Sequence, residues 1–277
     1  MNIKALHWDK HGDEFERISK HLALEGITSI RHISQEPPLA DMADIFFVHE
    51  GPWLDSIPHD IRQRCILVPC IKLDGYVEMF KQKGFHHAIC KTNDQLKVWN
   101  DEDSIVVPNI CNPQEPANPE NQKDIISLIH DWKIRDTNSF NLAKQIPNIK
   151  MYGVGEEQLG DIRDIETLKT AKFLVHIKNM GYVCNAVIKS IAMGVPVITT
   201  ESTIRYGYEE ILIHNFNAII CKNINEIIAA INTPKDTHIK LRDNCLSMRD
   251  RLTVPNPETS KKLMDMIHKM YKKYSNN

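Results

Sequence analysis

Short apolar runs alternate with helical patterns along most of the chain. In the first part the runs with strand character are residues 3–6, 28–33, 44–48, 64–68, 87–90 and 104–107, with helical stretches such as 14–25 and 76–83 between them. In the second part the runs are 124–129, 149–152, 173–176, 196–199 and 218–221, and helices are expected at 184–193 and 224–231. Unbroken apolar runs separated by helices predict parallel strands that are buried on both faces. Two successive sets of this kind predict two Rossmann-like α/β domains with a cleft between them.

A polar, proline-rich segment divides the two sets. Residues 112–122 (NPQEPANPENQ) contain three prolines and no apolar periodicity, which predicts a linker. A second pair of prolines, in RLTVPNPETS, precedes a stretch that places Leu263, Met266, Ile267 and Met270 on one helical face, with Thr259 or Ser260 as the expected cap. The predicted domains are therefore residues 1–111 and 123–252, followed by a final helix within 257–277.

Composition narrows the class of protein. The chain has 277 residues, with 34 Lys and Arg against 36 Asp and Glu, so its near-neutral charge does not favour a dedicated nucleic-acid binder. A quarter of the residues are charged, no apolar run is long enough to span a membrane, and the N-terminal sequence lacks a signal-peptide pattern. These features predict a soluble, cytoplasmic protein without a transmembrane segment.

The metal-binding residue types lack the spacing of a metal site. The seven cysteines form no CxxC pair, and the 13 histidines do not supply paired short spacings, so we expect reduced cysteines and no metal ion. Asp101, Glu102 and Asp103 match a D-x-D pattern, but they lie in a polar run before a strand, which favours a solvated loop.

The most informative local pattern is residues 181–200, GYVCNAVIKSIAMGVPVITT. It predicts a helix that ends at Met193, a glycine at 194 with positive φ, and a buried strand opened by Pro196. Gly181 would allow close backbone approach, and free N–H groups at the helix start would bind an anion. Lys178 and Lys189 could supply charge at either end of such a site.

The order of motifs from residue 149 to residue 231 resembles the C-terminal half of a GT-B glycosyltransferase, most like glycosyltransferase family 4. A strand and glycine lie at 148–153, a buried strand begins at Ala171, and the A-x-G-x-P-V-I pattern lies at 192–198. Glu210 with Ile211 and Leu212, and then Asn217, match the last part of the pattern. Residues 105–109 are similar to the V-x-P-N that closes the first domain in that family.

This resemblance implies a fold and an activity. The fold would be α/β, with two Rossmann-like domains facing across a cleft and a C-terminal helix returning to the first domain. The activity would be metal-independent transfer of a sugar from a nucleotide diphosphate sugar, UDP- or GDP-linked, to a hydroxyl acceptor, with no cofactor. The donor-binding positions it implies are Lys133, Arg135, Gly155, Lys178, Gly181, Tyr182, Asn185, Lys189 and Glu210.

One departure from the family bears on the donor. The two acidic positions of the Glu-x7-Glu motif fall here on Gly181 and Lys189. Lysine only donates hydrogen bonds, so Lys189 should favour a phosphate or a carboxylate-bearing donor, or pair with an acidic neighbour such as Glu210. A nucleotide-sugar epimerase of the same fold, and a non-catalytic nucleotide-sugar-binding relative, are the alternatives.

Candidate bases come from the first domain, which in GT-B enzymes holds the acceptor. Asp9 and His11 follow the first strand, and His49 follows the strand at 44–48, so all three lie where parallel strands direct loops toward a ligand. Each could accept the proton of the acceptor hydroxyl. The acceptor class stays open among a glycan, a protein and a modified DNA base, while neither a membrane lipid nor duplex DNA has support from a suitable surface pattern.

Overall fold

The chain folds into two compact units, each described here by itself. A computed structural model of the protein describes residues 3–7, 12–27, 31–34, 43–49, 52–69, 76–112, 114–128, 137–153, 159, 165–179 and 183–274. The first unit is Met1–Asn109 with Pro255–Asn277, and the second is Ile110–Val254. The boundary between the units at residues 109–110 therefore lies just before the proline-rich segment 112–122 and not within it.

The first unit contains a six-stranded sheet in which all neighbouring strands are parallel, in the order β2-β1-β3-β4-β5-β6. Its strands are β1 Ile3–His7, β2 Arg31–Ser34, β3 Ile45–His49, β4 Cys65–Val68, β5 His87–Cys90 and β6 Ile105–Val106. Its helices are α1 Gly12–Leu24, the 3-10 helix Pro52–Ser56, α2 His59–Arg62, α3 Val77–Gln82, α4 Asn93–Trp99 and, at the end of the chain, α12 Pro257–Tyr274.

Strand β3 illustrates why unbroken apolar runs became the central strands. Its side chains alternate between two hydrophobic clusters, with Phe46 and Val48 on one face of the sheet and Ile45 and Phe47 on the other. Successive side chains of a strand point to opposite faces, so a strand covered on both sides needs apolar residues at every position.

The last helix packs in the first unit, as the resemblance implied. Leu263, Met266, Ile267 and Met270 are buried in the same cluster as residues of α1. The predicted cap is wrong, because the helix begins earlier, at Pro257, and the Asn256 side chain accepts the Thr259 N–H at 3.1 Å. Proline suits the first helical position because its missing N–H is not needed there.

The second unit contains a five-stranded parallel sheet in the order β11-β10-β9-β7-β8. Its strands are β7 Asp124–Leu128, β8 Lys150–Tyr152, β9 Ala171–His176, β10 Val197–Thr200 and β11 Ala218–Cys221. Its helices are α5 Thr137–Ala143, α6 Ile165–Lys169, α7 Asn185–Ala192, α8 Glu201–Ile204, α9 Ile224–Ile231, α10 Lys235–Ser247 and α11 Arg249–Thr253. Both units thus confirm the predicted α/β class with parallel sheets.

The predicted linker is instead part of the second unit. Ala117 is buried, its N–H donates to the Met193 carbonyl at 2.8 Å, and its carbonyl accepts from Arg242 Nη2 at 3.2 Å. The Gln122 amide donates to the Gly194 carbonyl at 3.2 Å. A segment poor in apolar side chains can therefore be held through its backbone groups, which composition does not reveal.

Gly194 ends α7 as predicted. Its φ is +77°, and a Cβ placed on it would lie 3.0 Å from Cγ and Cδ2 of Leu246. The helix-to-strand junction therefore needs glycine both for its left-handed backbone and for the close approach of α10.

Two further features concern the described residues only. None of their helices has both the length and the low polarity needed to cross a bilayer. The six cysteines among them carry free thiols, as expected for reduced cysteines.

Candidate functional site

The strand order in each sheet reverses beside its first strand. In the second unit β7 lies between β8 and β9, and in the first unit β1 lies between β2 and β3. Connections leave such a point toward opposite faces, so a crevice opens outside the carboxyl ends of the two strands, where ligands bind in open α/β sheets. The candidate site of the second unit is therefore the carboxyl ends of β7 and β9.

A buried polar network lies at this edge. His176, the last residue of β9, places its Nε2 2.8 Å from the Tyr208 hydroxyl, and the Cys184 backbone N–H donates to the same hydroxyl at 3.0 Å. His176 is 3% exposed and Tyr208 fully buried. The end of the strand and the residue before α7 are thus joined through one hydroxyl.

The protonation of the network follows from its burial. Burial, and secondarily the charge of Lys178, lowers the pKa of His176 from 6.5 to about 3, so the imidazole is neutral. Burial also raises the pKa of Tyr208 well above 10.0, so the phenol keeps its proton. The neutral imidazole can accept through one ring nitrogen, so we assign the hydroxyl as the donor to His176 Nε2, while its oxygen accepts from the Cys184 N–H. This assignment places the remaining imidazole proton on Nδ1.

Threonine hydroxyls fix the segment that follows β9. The backbone N–H of Lys178 donates to Thr203 Oγ1 at 3.0 Å, and Thr203 Oγ1 lies 2.9 Å from Thr200 Oγ1. A third hydrogen bond holds the last residue of β9, because Thr199 Oγ1 donates to the His176 carbonyl at 2.6 Å. The end of β9 and the backbone of Lys178 are therefore held by hydrogen bonds to strand β10 and to helix α8 after it.

Helix α7 presents its N-terminus next to this network. Cys184 is the N-cap residue, and its carbonyl accepts from Val187 N at 3.0 Å and Ile188 N at 3.3 Å, with no hydrogen bond from its side chain. The first-turn N–H groups of a helix carry partial positive charge and attract anions. The helix is Asn185–Ala192, within one residue of the predicted 184–193 at each end.

The structure locates four of the predicted site residues in the second unit. Lys178 lies two residues after β9, and Asn185 and Lys189 lie one turn apart on α7, all three half-buried. Glu210 is exposed, two residues after Tyr208. The suggested pairing of Lys189 with Glu210 stays a prediction.

The other predicted residues lie either in the first unit or outside the described residues. His49 belongs to the first unit, where it ends β3 at the point of strand reversal and is 3% exposed. The remaining predicted residues lie outside those that the structure describes: Asp9, His11, Lys133, Arg135, Gly155, Gly181 and Tyr182.

The buried network itself is not predicted by the sequence patterns. His176 stands at the end of an apolar run, and Tyr208 lies 32 residues further along the chain. The sequence did show a polar residue at the end of a buried parallel strand. Such a residue lies at the carboxyl edge of the sheet, where ligands bind. Its partner could not be found from spacing.

Comparison with known proteins supports the fold. No model of a protein family and no curated protein matches the chain. Among solved structures, Anabaena HepE in complex with UDP and glucose is similar over 100% of both chains, at 12% identity and a TM-score of 0.67. WaaG, a glycosyltransferase involved in lipopolysaccharide biosynthesis, is similar over 96% of this chain and 99% of its own, at 13% identity and a TM-score of 0.61.

A longer protein is also similar. TarM matches 82% of this chain at 12% identity and a TM-score of 0.57, and the chain spans only 54% of TarM. These likenesses, together with the two parallel α/β sheets and the C-terminal helix, show that the fold is that of the GT-B glycosyltransferases, as the sequence predicted.

Proposed function

We propose that the protein is a glycosyltransferase that moves a sugar from a nucleoside diphosphate sugar to a hydroxyl acceptor. The observation that supports this most is the likeness, over the full length of both chains, to a protein crystallised with UDP and glucose. The polar edge at the strand reversal of the second unit is where this fold provides for a nucleotide. UDP-linked sugars are accordingly the first donors to test, with GDP-linked sugars next.

The donor diphosphate would bind at the start of α7. The first-turn N–H groups, with the ammonium groups of Lys178 and Lys189 nearby in the chain, supply positive potential there. Lys133 and Arg135 remain proposed contributors from the connection after β7. Fixed positive charge can stabilise the leaving diphosphate without a divalent ion, so we propose a metal-independent reaction without a cofactor.

The relation to glycosyltransferase family 4 is also a proposal. Lys189 takes the place of the second acidic residue of the Glu-x7-Glu motif and stands half-buried on α7. Its ammonium offers three donors and no acceptor, so it suits a phosphate or carboxylate oxygen better than a ribose hydroxyl that must donate. We therefore propose that the ribose is held by other groups than in that family.

The reaction breaks the bond between the anomeric carbon and the diphosphate oxygen and forms one between that carbon and the acceptor oxygen. The acceptor proton needs a base, for which Asp9, His11 and His49 are the candidates. His49 is 3% exposed, so the acceptor would have to enter deeply to reach its imidazole. Asp9 and His11 follow β1 in the sequence and remain candidates on that ground.

The test is release of nucleoside diphosphate from a panel of UDP- and GDP-sugars, with candidate glycan and peptide acceptors, in the presence of EDTA. Turnover should persist in EDTA. Lys178→Ala should raise the donor KM about tenfold or more, because a charge-assisted hydrogen bond contributes about 1.5–3 kcal/mol. Lys222→Ala is the matched control, since Lys222 is exposed in the same unit.

The alternatives are separate outcomes of the same panel. An epimerised sugar formed without acceptor would identify an epimerase. Saturable binding of a nucleotide sugar without any product would identify a non-catalytic relative. Turnover that EDTA abolishes and Mn²⁺ or Mg²⁺ restores would overturn the metal-independent mechanism.

A further inference from the structure

The D-x-D segment of the first unit is not the solvated loop that its composition predicted. Asp101 and Asp103 are half-buried in the connection between α4 and β6, and His87, the first residue of β5, is 3% exposed beside them. One ligand atom from each of the three side chains lies within 4.8 Å of the other two. Two carboxylates and one imidazole therefore converge on one place.

The histidine supplies an independent observation. Its Nδ1 is buried without a hydrogen-bond partner, while Nε2 lies 3.4 Å from the Tyr274 hydroxyl of α12. A buried ring nitrogen without a partner is costly, and so it indicates a missing ligand.

Two lysines of α12 act on these side chains, and their positive charge competes with a cation for the carboxylates. Lys269 Nζ forms an ion pair with Asp103, whose side chain is 18% exposed. Lys273 also acts electrostatically on His87. Lys269 is itself 60% exposed, so its ammonium can leave Asp103 for water at little cost.

We propose that His87, Asp101 and Asp103 form a binding site for a divalent transition cation such as Zn²⁺ or Mn²⁺. One imidazole and two carboxylates are a ligand set for these ions. Bonds of about 2.1 Å to a cation hold ligand atoms about 3–4 Å apart, so small rotations of the two half-buried carboxylates complete the site. Cation binding releases Lys269 from Asp103.

The site is structural and stands apart from the proposed reaction. His87 begins β5, so the site is on the amino edge of the sheet, whereas ligands of such sheets bind at the carboxyl edge. A bound cation should raise the melting temperature of the protein by linking β5 to the loop before β6. It should leave the turnover of nucleotide sugars unchanged.

The test is calorimetric titration of the EDTA-treated, dialysed full chain with ZnCl₂ and, separately, MnCl₂. Because the chain has 13 histidines, the site is identified by differences between variants. Asp101→Asn and Asp103→Asn should each weaken the binding of one equivalent at least about tenfold, since each removes a charged ligand. Glu102→Gln, an exposed neighbour in the same loop, should not.

A gain of affinity separates the proposal from simple unfolding of the variants. Lys269→Met removes the competing ammonium and should tighten the binding of the cation about tenfold. Lys262→Met, an exposed lysine of the same helix that pairs with Glu258, is its control. Absence of a one-to-one event with either ion, equal loss in Glu102→Gln, or unchanged affinity in Lys269→Met would each overturn the site.

Discussion

Replacing Tyr208 by phenylalanine removes one hydroxyl and leaves the ring in place. In the protein that hydroxyl accepts from the Cys184 N–H at 3.0 Å and donates to His176 Nε2 at 2.8 Å. Tyr208 is fully buried and His176 is 3% exposed, so the His176 nitrogen loses its hydrogen bond away from solvent, whereas Cys184 is half-buried. A buried polar group left unsatisfied costs about 1–3 kcal/mol, so Tyr208→Phe should lower the free energy of unfolding by about that amount.

The loss of this hydroxyl should also weaken donor binding. The Cys184 N–H fixes the residue that caps α7, so its release loosens the proposed diphosphate site while the distant parts of the protein stay intact. The donor KM should therefore rise more than kcat falls. Amide hydrogen exchange at residues 183–186 should accelerate, which a uniform loss of stability would not produce selectively.

The assay is urea unfolding followed by circular dichroism, with exchange measured on the same samples. Tyr76→Phe is the matched control, because Tyr76 is 48% exposed and its hydroxyl is satisfied by water, so it should change the unfolding free energy by less than about 0.5 kcal/mol. A double-mutant cycle with His176→Leu should give a coupling of about 1 kcal/mol or more. Equal effects of the two Tyr→Phe variants would refute the role assigned to the hydroxyl.

Three further changes test the second unit. His176 is neutral when folded and has a pKa lowered to about 3, whereas the unfolded chain binds a proton at 6.5, so its stabilising effect is complete above pH 6.5 and declines as the pH falls toward 3; His176→Gln should flatten that part of the urea-midpoint profile. Gly194→Ala should destabilise by about 1–2 kcal/mol more than Gly26→Ala, because both residues have positive φ but only Gly194 has a side chain at 3.0 Å; melting temperatures compare the two. Arg242→Leu should speed proteolytic cleavage within residues 114–122, since it releases the carbonyl of Ala117, and unchanged cleavage would contradict the role of that bond.

The strands were predictable because burial on both faces leaves little freedom of composition. Strands β5 His87–Cys90 and β11 Ala218–Cys221, and helix α9 Ile224–Ile231, have the bounds that the apolar pattern predicts. Where strands are covered by helices on each side, most positions are apolar, and the apolar run therefore follows the extent of the strand closely.

The segment at residues 112–122 shows the limit of composition. Prolines and polar side chains were correctly recognised as unfit for a helix or strand, but they do not exclude packing through backbone groups. The segment donates to the carbonyls of Met193 and Gly194 and accepts from Arg242, and all three partners are more than 70 positions away in the chain. Such long-range partners leave no periodic trace in the sequence.

The site was predictable only where motif order carried information. The position of α7 and its termination at Gly194 follow from the A-x-G-x-P-V-I pattern. The pairing of His176 with Tyr208 does not, because both residues have ordinary structural roles in most proteins. The half-buried state of Asp101 and Asp103 likewise depends on His87 and α12, which are distant in sequence.

The most direct test of the proposed function is a crystal structure of the protein with UDP. The diphosphate should lie within hydrogen-bonding distance of backbone N–H groups in the first turn of α7 and of the Lys178 ammonium. A diphosphate bound anywhere else on the chain, or crystals in which millimolar UDP leaves that helix end without a ligand, would contradict the proposal.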